Sequence, residues 1–199
     1  MSVPISYFDA LYAQSGDPWE YRKRWYEARK RDLTLAALPH PRYGRVYEPG
    51  CSIGELSAQL AHRCDSLLVS DGSEAAVQRA RQRLADYPHT RVEHRLLPDT
   101  WPAGPFDLIV ISEIGYYFDS DPLAQLLEQA RASLAPEGVV LACHWRHAIA
   151  DCTLTGDDVH EALDARLGLP RIFKHEEADF RIDVWSATTT SVADREHLR

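Results

Sequence analysis

Arg45-Val46-Tyr47-Glu48-Pro49-Gly50-Cys51-Ser52-Ile53-Gly54-Glu55-Leu56 decides the fold: an apolar strand ends in an acid, a turn of small residues follows, and a helix begins. A turn built from Gly50, Ser52 and Gly54 lets backbone approach a ligand with no Cβ in the way, and free N–H groups at a helix start can receive a carboxylate or phosphate. The same residues also suit a plain strand-to-helix turn, so the spacing must be weighed. A dinucleotide loop needs a third glycine where this chain has Glu55, and a middle glycine where it has Ser52. No Gly-Lys-Ser/Thr follows, so the Walker phosphate loop fails too.

Farther along, Ser66-Leu67-Leu68-Val69-Ser70-Asp71 is a second apolar run ending in an acid, with Gly72 and Ser73 opening a new helix. In an open parallel sheet the carboxyl ends of neighbouring strands face one crevice. Asp71 then lies beside the glycine turn, where its carboxylate can accept both ribose hydroxyls of an adenosine cofactor. NAD and S-adenosylmethionine both use that contact. The competing reading of Asp71 is a helix cap, a role that Ser73 is placed to fill.

Composition narrows the classes. The chain has 199 residues, enough for one well-cored domain and too few for two ordinary ones. A formal charge of −8 makes phosphate-rich nucleic acid an unfavourable partner. Cys51, Cys64, Cys143 and Cys152 are scattered without a C-x-x-C pair, which suggests neither a zinc site nor a disulfide framework. The start of the chain lacks the basic region and continuous apolar core of a signal peptide, and no apolar run is long enough for a membrane span. The expectation is a cytoplasmic protein with reduced thiols, no metal and no membrane partner.

Short apolar strands alternate with amphipathic helices, which predicts an α/β fold with a parallel sheet covered on both faces. Strands are expected near 45–49, 67–71, 91–96, 106–112 and 138–144, and helices near 53–63, 73–87, 122–135 and 156–167. Ala75, Ala76, Val77, Ala80, Leu84 and Ala85 form the apolar face of the second helix. Pro136-Glu137-Gly138 is expected to close the third. Beyond Pro170, Arg171–Glu176 and Asp179–Thr188 read as a closing antiparallel hairpin, and residues 191–199 as a solvated tail. Residues 1–40 are expected to form a helical lid, with Asp17 and Pro18 starting a helix on which Tyr26, Leu33 and Ala37 share a stripe. Residues 41–190 are then the sheet core.

These features together resemble the NodS-like branch of class I S-adenosylmethionine-dependent methyltransferases. The resemblance covers about residues 17–188 and rests on Asp17-Pro18-Trp19, Trp25-Tyr26-Glu27-Ala28-Arg29-Lys30, Thr34-Leu35-Ala36-Ala37-Leu38-Pro39, the loop Glu48–Gly54, Phe106–Glu113, Tyr116-Tyr117 and His144-Trp145-Arg146. It implies a Rossmann-like, seven-stranded, mostly parallel sheet with an antiparallel C-terminal hairpin and a helical N-terminal lid. By the same likeness Glu48, Gly50, Cys51, Ser52 and Gly54 form the first cofactor loop, Asp71, Gly72 and Ser73 flank the ribose, and Ser112 and Glu113 lie beneath the methionine. Trp19 and Arg29 come from the lid, with Arg29 as partner of the cofactor carboxylate. Leu96 stands where many relatives have an acid near the adenine, so Leu96 or Leu97 and backbone groups are left to hold that ring, with Asp99 as a candidate to reach N6.

Methyl transfer from a sulfonium needs alignment in a dry site more than a strong acid, because the leaving group is already activated. An amine acceptor must be neutral when it attacks, so a base helps. Glu113, Tyr116 and His144 are the catalytic candidates, and Tyr116, Tyr117, His144, Trp145 and Arg146 the candidates for acceptor binding. The expected activity is methylation of a small molecule, with an amine or amino sugar as one form of acceptor. An RNA or protein methyltransferase, or a cofactor-binding regulatory protein without turnover, are the alternatives; Ser112-Glu113-Ile114-Gly115 stands where adenine-N6 or glutamine methylation would call for Asn/Asp-Pro-Pro-Tyr/Phe.

Overall fold

The computed structural model describes residues 3–198. Two helices, α1 (Ile5–Gln14) and α2 (Trp25–Ala36), precede the alternating unit β1 (Tyr43–Pro49), α3 (Glu55–Ala61), β2 (Cys64–Asp71), α4 (Glu74–Arg83) and β3 (Thr90–His94). Then come β4 (Phe106–Ser112), a 3₁₀ turn at Gly115–Tyr117, α5 (Ser120–Ala132), β5 (Leu134–Trp145), α6 (Gly156–Leu167), β6 (Arg171–Glu176), β7 (Phe180–Ser186) and the short α7 (Val192–Arg195). The strands form one sheet in the order β3-β2-β1-β4-β5-β7-β6. All pairs up to β5 are parallel, and β7 runs antiparallel to both β5 and β6. This is the class I methyltransferase sheet that the alternation and the closing hairpin predict.

Side chains alternate between the two faces of each strand, and the core divides accordingly. Val46, Leu108 and Val110 pack on one side with Ala58, Leu60, Ala61 and Ala80 of α3 and α4. Tyr47, Ile109 and Ile111 pack on the other with Leu123, Leu126 and Leu127 of α5 and Val159 and Leu163 of α6. Tyr26 and Leu33 of α2 and Ala37 at its C-terminal end join the first cluster, as their shared stripe requires. Thr155 and Asp158 form a reciprocal capping box at the start of α6.

Four details differ from the sequence reading. The N-terminal region holds two helices, because Asp17 accepts hydrogen bonds from the N–H groups of Tyr21 (2.9 Å) and Arg22 (3.1 Å) and caps only a local turn. Pro136 to Gly138 do not close a helix: α5 ends at Ala132, and these residues lie in β5, whose pairing with β4 slips between Phe106 and Leu108. α4 ends before Ala85, which is exposed. The final segment is tied down, since Arg195 donates to the carbonyls of Pro39 (3.2 Å) and Thr190 (2.7 Å). No helix among the described residues is long and apolar enough to cross a membrane.

The sheet order reverses between β1 and β4, with β2 and β3 on one side and β5 onward on the other. A crevice outside the carboxyl ends of these strands is where open α/β sheets bind ligands.

Candidate active site

A cavity of about 610 Å³ occupies that crevice, within the size range of small-molecule sites. Its floor is the β1 turn. Gly50 sits at φ 72°, where a Cβ would meet Ile114 Cγ2 at 2.3 Å, so only glycine fits. Ser52 also adopts positive φ, at 51°, and its N–H donates to Asp71 Oδ2 (2.9 Å) while its hydroxyl meets that of Tyr12 (2.5 Å). Asp71 Oδ1 accepts the N–H of Ser73 (2.9 Å). Burial raises the Asp71 pKa, with the N–H groups of Ser73 and Ser52 opposing the shift. Each carboxylate oxygen retains a lone pair for a further donor. Cys51 and Gly72 also line this end of the cavity, whereas Gly54 caps α3 without lining it.

Ser73 departs from the expected cap. Its hydroxyl donates to Asp9 of α1 (2.6 Å), and Asp71 receives its backbone N–H instead.

Glu48 is buried, and its Oε2 accepts the Ser57 hydroxyl (2.6 Å). Burial pushes its carboxyl up to about 8 from an ordinary value of 4.5. Through that window the folded chain keeps a proton that the unfolded chain has released, so this group's contribution to stability falls as pH rises. Urea denaturation of the wild type and of Glu48→Gln at the two ends of the window checks this. The variant should show the smaller fall; an equal fall would assign the titration to another group.

The roof comes from the N-terminal region. Ile5, Phe8 and Tyr12 of α1 line the cavity, as do Trp19, Tyr21, Tyr26, Glu27, Lys30 and Arg31 from the following loop and α2. Trp19 stands edge-on to Tyr12 (5.8 Å between ring centroids) and beside Tyr21 (5.7 Å). Beyond β3, Leu97 lines the cavity and Leu96 is exposed.

At the end of β4, Ser112 and Glu113 both line the cavity. Glu113 has φ 57°, an uncommon conformation for a side-chain-bearing residue and one that gathers at functional sites. Its Oε1 accepts from Lys30 Nζ (2.6 Å), and its Oε2 from the Tyr116 hydroxyl (2.5 Å) and the Trp145 N–H (2.9 Å). With both oxygens engaged, Glu113 is placed as an anchor rather than a base. Lys30 also meets Glu27 Oε1 (3.2 Å). Burial works against the Lys30 charge, but Glu113 and Glu27 outweigh it and raise the pKa, so Lys30 stays an ammonium.

Besides Gly54 and Ser73, three sequence candidates do not line the cavity. Arg29 does not reach the cavity; it forms a two-pronged pair with Glu177 (2.6 and 2.9 Å) and leaves the lid's inward positions to Lys30 and Arg31. Arg31 donates through Nη1 to the Tyr21 carbonyl (2.9 Å), and its Nε is buried with no partner among the described residues. Arg146 turns to Asp157 (3.0 Å) and the Glu177 carbonyl (2.7 Å).

His144 is the third. It is fully buried on the far face of the sheet and does not line the cavity. Its Nε2 accepts the Gly115 N–H (3.2 Å), its Nδ1 meets His160 Nε2 (3.2 Å), and His160 Nδ1 donates to Asp183 Oδ2 (2.7 Å). Burial, with His160 adding to it, drives the His144 pKa far down and keeps the ring neutral. This chain of rings holds the 3₁₀ turn. Within that turn Tyr116 and Tyr117 both line the cavity, because the coiled backbone brings both side chains to it. Trp145 lines it from β5, edge-on to Tyr26 (5.8 Å).

Residues 47–140 match the methyltransferase domain model Methyltransf_12. A solved structure from Pseudomonas syringae, provisionally described as a methyltransferase, is 55% identical, covers 82% of this chain and 99% of its own, and superposes with a TM-score of 0.74. The chain belongs to the methyltransferases and has the class I fold. The N-methyltransferase NodS of Bradyrhizobium japonicum WM9, solved with S-adenosyl-L-homocysteine, shares the fold of this methyltransferase with a TM-score of 0.82 at 23% identity, over 91% of this chain and 96% of its own. Nodulation protein S of Sinorhizobium fredii is 28% identical over 124 residues, 61% of this chain. That match spans 57% of the curated relative's length.

Proposed function

We propose that this methyltransferase binds S-adenosylmethionine in the crevice and methylates a small molecule, with an amine as the acceptor. The observation that carries the reading is that one cavity joins Asp71, beside the small-residue turn, to Glu113 and to Arg31, whose Nε has no partner among the described residues. When bound, S-adenosylmethionine supplies a methyl group already activated by its sulfonium. Asp71 is placed to take the ribose hydroxyls, Leu97 to pack on the adenine, and Cys51, Ser52 and Gly72 to close around the nucleoside. Glu113 and Ser112 anchor the methionine end, and Arg31 replaces Arg29 as the partner of its carboxylate. The aromatic roof of Phe8, Tyr12, Trp19 and Tyr21 keeps water out, which strengthens each of these contacts.

Arg31→Ala tests the assignment. It should weaken S-adenosylhomocysteine by about 10-fold or more, the order of a charge-assisted hydrogen bond, while leaving adenosine, which has no carboxylate, within about twofold. Calorimetric affinities for both ligands in the same variant make the comparison. Equal losses would show damage to the fold, and no loss would return Arg31 to holding the Tyr21 carbonyl alone.

A further inference from the structure

With the nucleoside placed against β1 and β2, the cavity continues past Glu113 toward the end of β5. There it is lined by Tyr26, Glu27 and Lys30 of α2, Trp145 of β5 and Asp179 of the β6–β7 turn. Glu27 is only 8% exposed. Its Oε1 is held by Lys30 (3.2 Å), and its Oε2 is buried with no partner among the described residues. A buried carboxylate oxygen without a donor is costly to keep. The Tyr26 hydroxyl beside it in sequence is likewise buried without a partner. Of the acids in this part of the cavity, Glu113 has both oxygens taken, while Asp179 accepts from His147 (2.9 Å) and is half exposed.

We infer that the Glu27 carboxylate is the base of the reaction, and that the amine acceptor, primary or secondary, arrives as its ammonium ion between Glu27 and the rings of Tyr26 and Trp145. The inference rests on the methyltransferase reading above. Glu27 takes one proton from the ammonium, and the electrons of that N–H bond remain on nitrogen as its lone pair. That pair forms the new N–C bond with the transferred methyl group, while the electrons of the donor's C–S bond leave with sulfur. Glu27 then passes its proton to solvent, and the product departs as a methylated ammonium. Aromatic faces beside the site favour a cation before the proton leaves. Burial raises the Glu27 pKa, against the pull of Lys30, and so strengthens it as a base. The charged groups acting on it are Lys30 and Arg31 from α2 and Glu113 from the β4 end.

The test uses full-length wild type, Glu27→Gln and Glu27→Asp. Glucosamine, hexylamine and phenethylamine are titrated in the presence of S-adenosylhomocysteine beside their alcohol counterparts glucose, hexanol and phenethyl alcohol, and product formation from S-adenosylmethionine is followed against pH. At least one amine should bind the wild type in preference to its matched alcohol. Glu27→Gln should keep its S-adenosylhomocysteine affinity within about twofold, lose about 10-fold or more in amine affinity, and lose on the order of 10²-fold in kcat/KM together with the limb of the pH profile that reports the base. Glu27→Asp should recover part of the loss. Binding of no amine, equal binding of amine and alcohol, or a Glu27→Gln variant indistinguishable from wild type would overturn the inference. Failure of the wild type to bind S-adenosylhomocysteine would instead overturn the reading beneath it.

Discussion

Asp183→Ala should destabilise the folded chain by about 3–5 kcal/mol, the cost of leaving buried charges without their partner. Asp183 lies on β7 with no exposure, and its Oδ2 accepts from both His160 Nδ1 (2.7 Å) and Arg181 Nε (2.6 Å). Burial opposes its charge, yet His160 and Arg181 hold its pKa below the usual value. Without it Arg181 keeps, among the described residues, the longer contacts to Asp157 and Asp164, each 3.9 Å. His160 loses the acceptor that fixes its tautomer, and the link through His144 to Gly115 loosens with it. In a chain of this length a loss of that size lowers the melting temperature by on the order of 10 °C. Urea denaturation checks it: the midpoint should fall while the slope is kept. A loss below about 1 kcal/mol would mean that neighbouring groups take over from Asp183.

Asp71→Ala should cost most in cofactor affinity. A hydrogen bond to a charged acceptor contributes about 1.5–3 kcal/mol, so losing even one ribose contact weakens S-adenosylhomocysteine by ~10- to 150-fold. The carboxylate also holds the N–H groups of Ser52 and Ser73 and with them the shape of the turn. Asp71→Asn, which keeps an acceptor oxygen, should lose less. An unchanged dissociation constant in folded Asp71→Ala would leave Asp71 as a support of the loop and nothing more.

The sheet was legible because its signals are local. Runs such as Phe106–Ser112 end in an acid or a small residue, and the β1 turn shows its need for positive φ through Gly50 and Gly54. The first helix was missed although Ile5, Phe8 and Tyr12 repeat on one face, because three aromatic or branched residues in a short segment fit several structures equally well. Arg29 and His144 were misplaced for one shared reason. Sequence puts a residue near a strand end or on a helix, but the face it occupies follows from tertiary pairing. Arg29 finds Glu177, 148 residues away, and His144 faces α6 through His160. Lys30 and Arg31, neighbours of Arg29, turn inward by virtue of the helical period alone. Glu27 and Lys30 stood inside a matched motif, yet no spacing rule announces a lysine shared by two carboxylates from separate elements. That arrangement exists only once α2 lies across the end of β4.

Calorimetric titration of the wild type with S-adenosylhomocysteine and, separately, with NAD tests the central claim most directly. The turn lacks the third glycine of a dinucleotide loop, and Asp71, Glu113 and Arg31 line one cavity. S-adenosylhomocysteine should therefore bind saturably at one site per chain, and NAD should give no binding heat at the same concentrations. Saturable binding of NAD by a protein indifferent to S-adenosylhomocysteine would contradict the account.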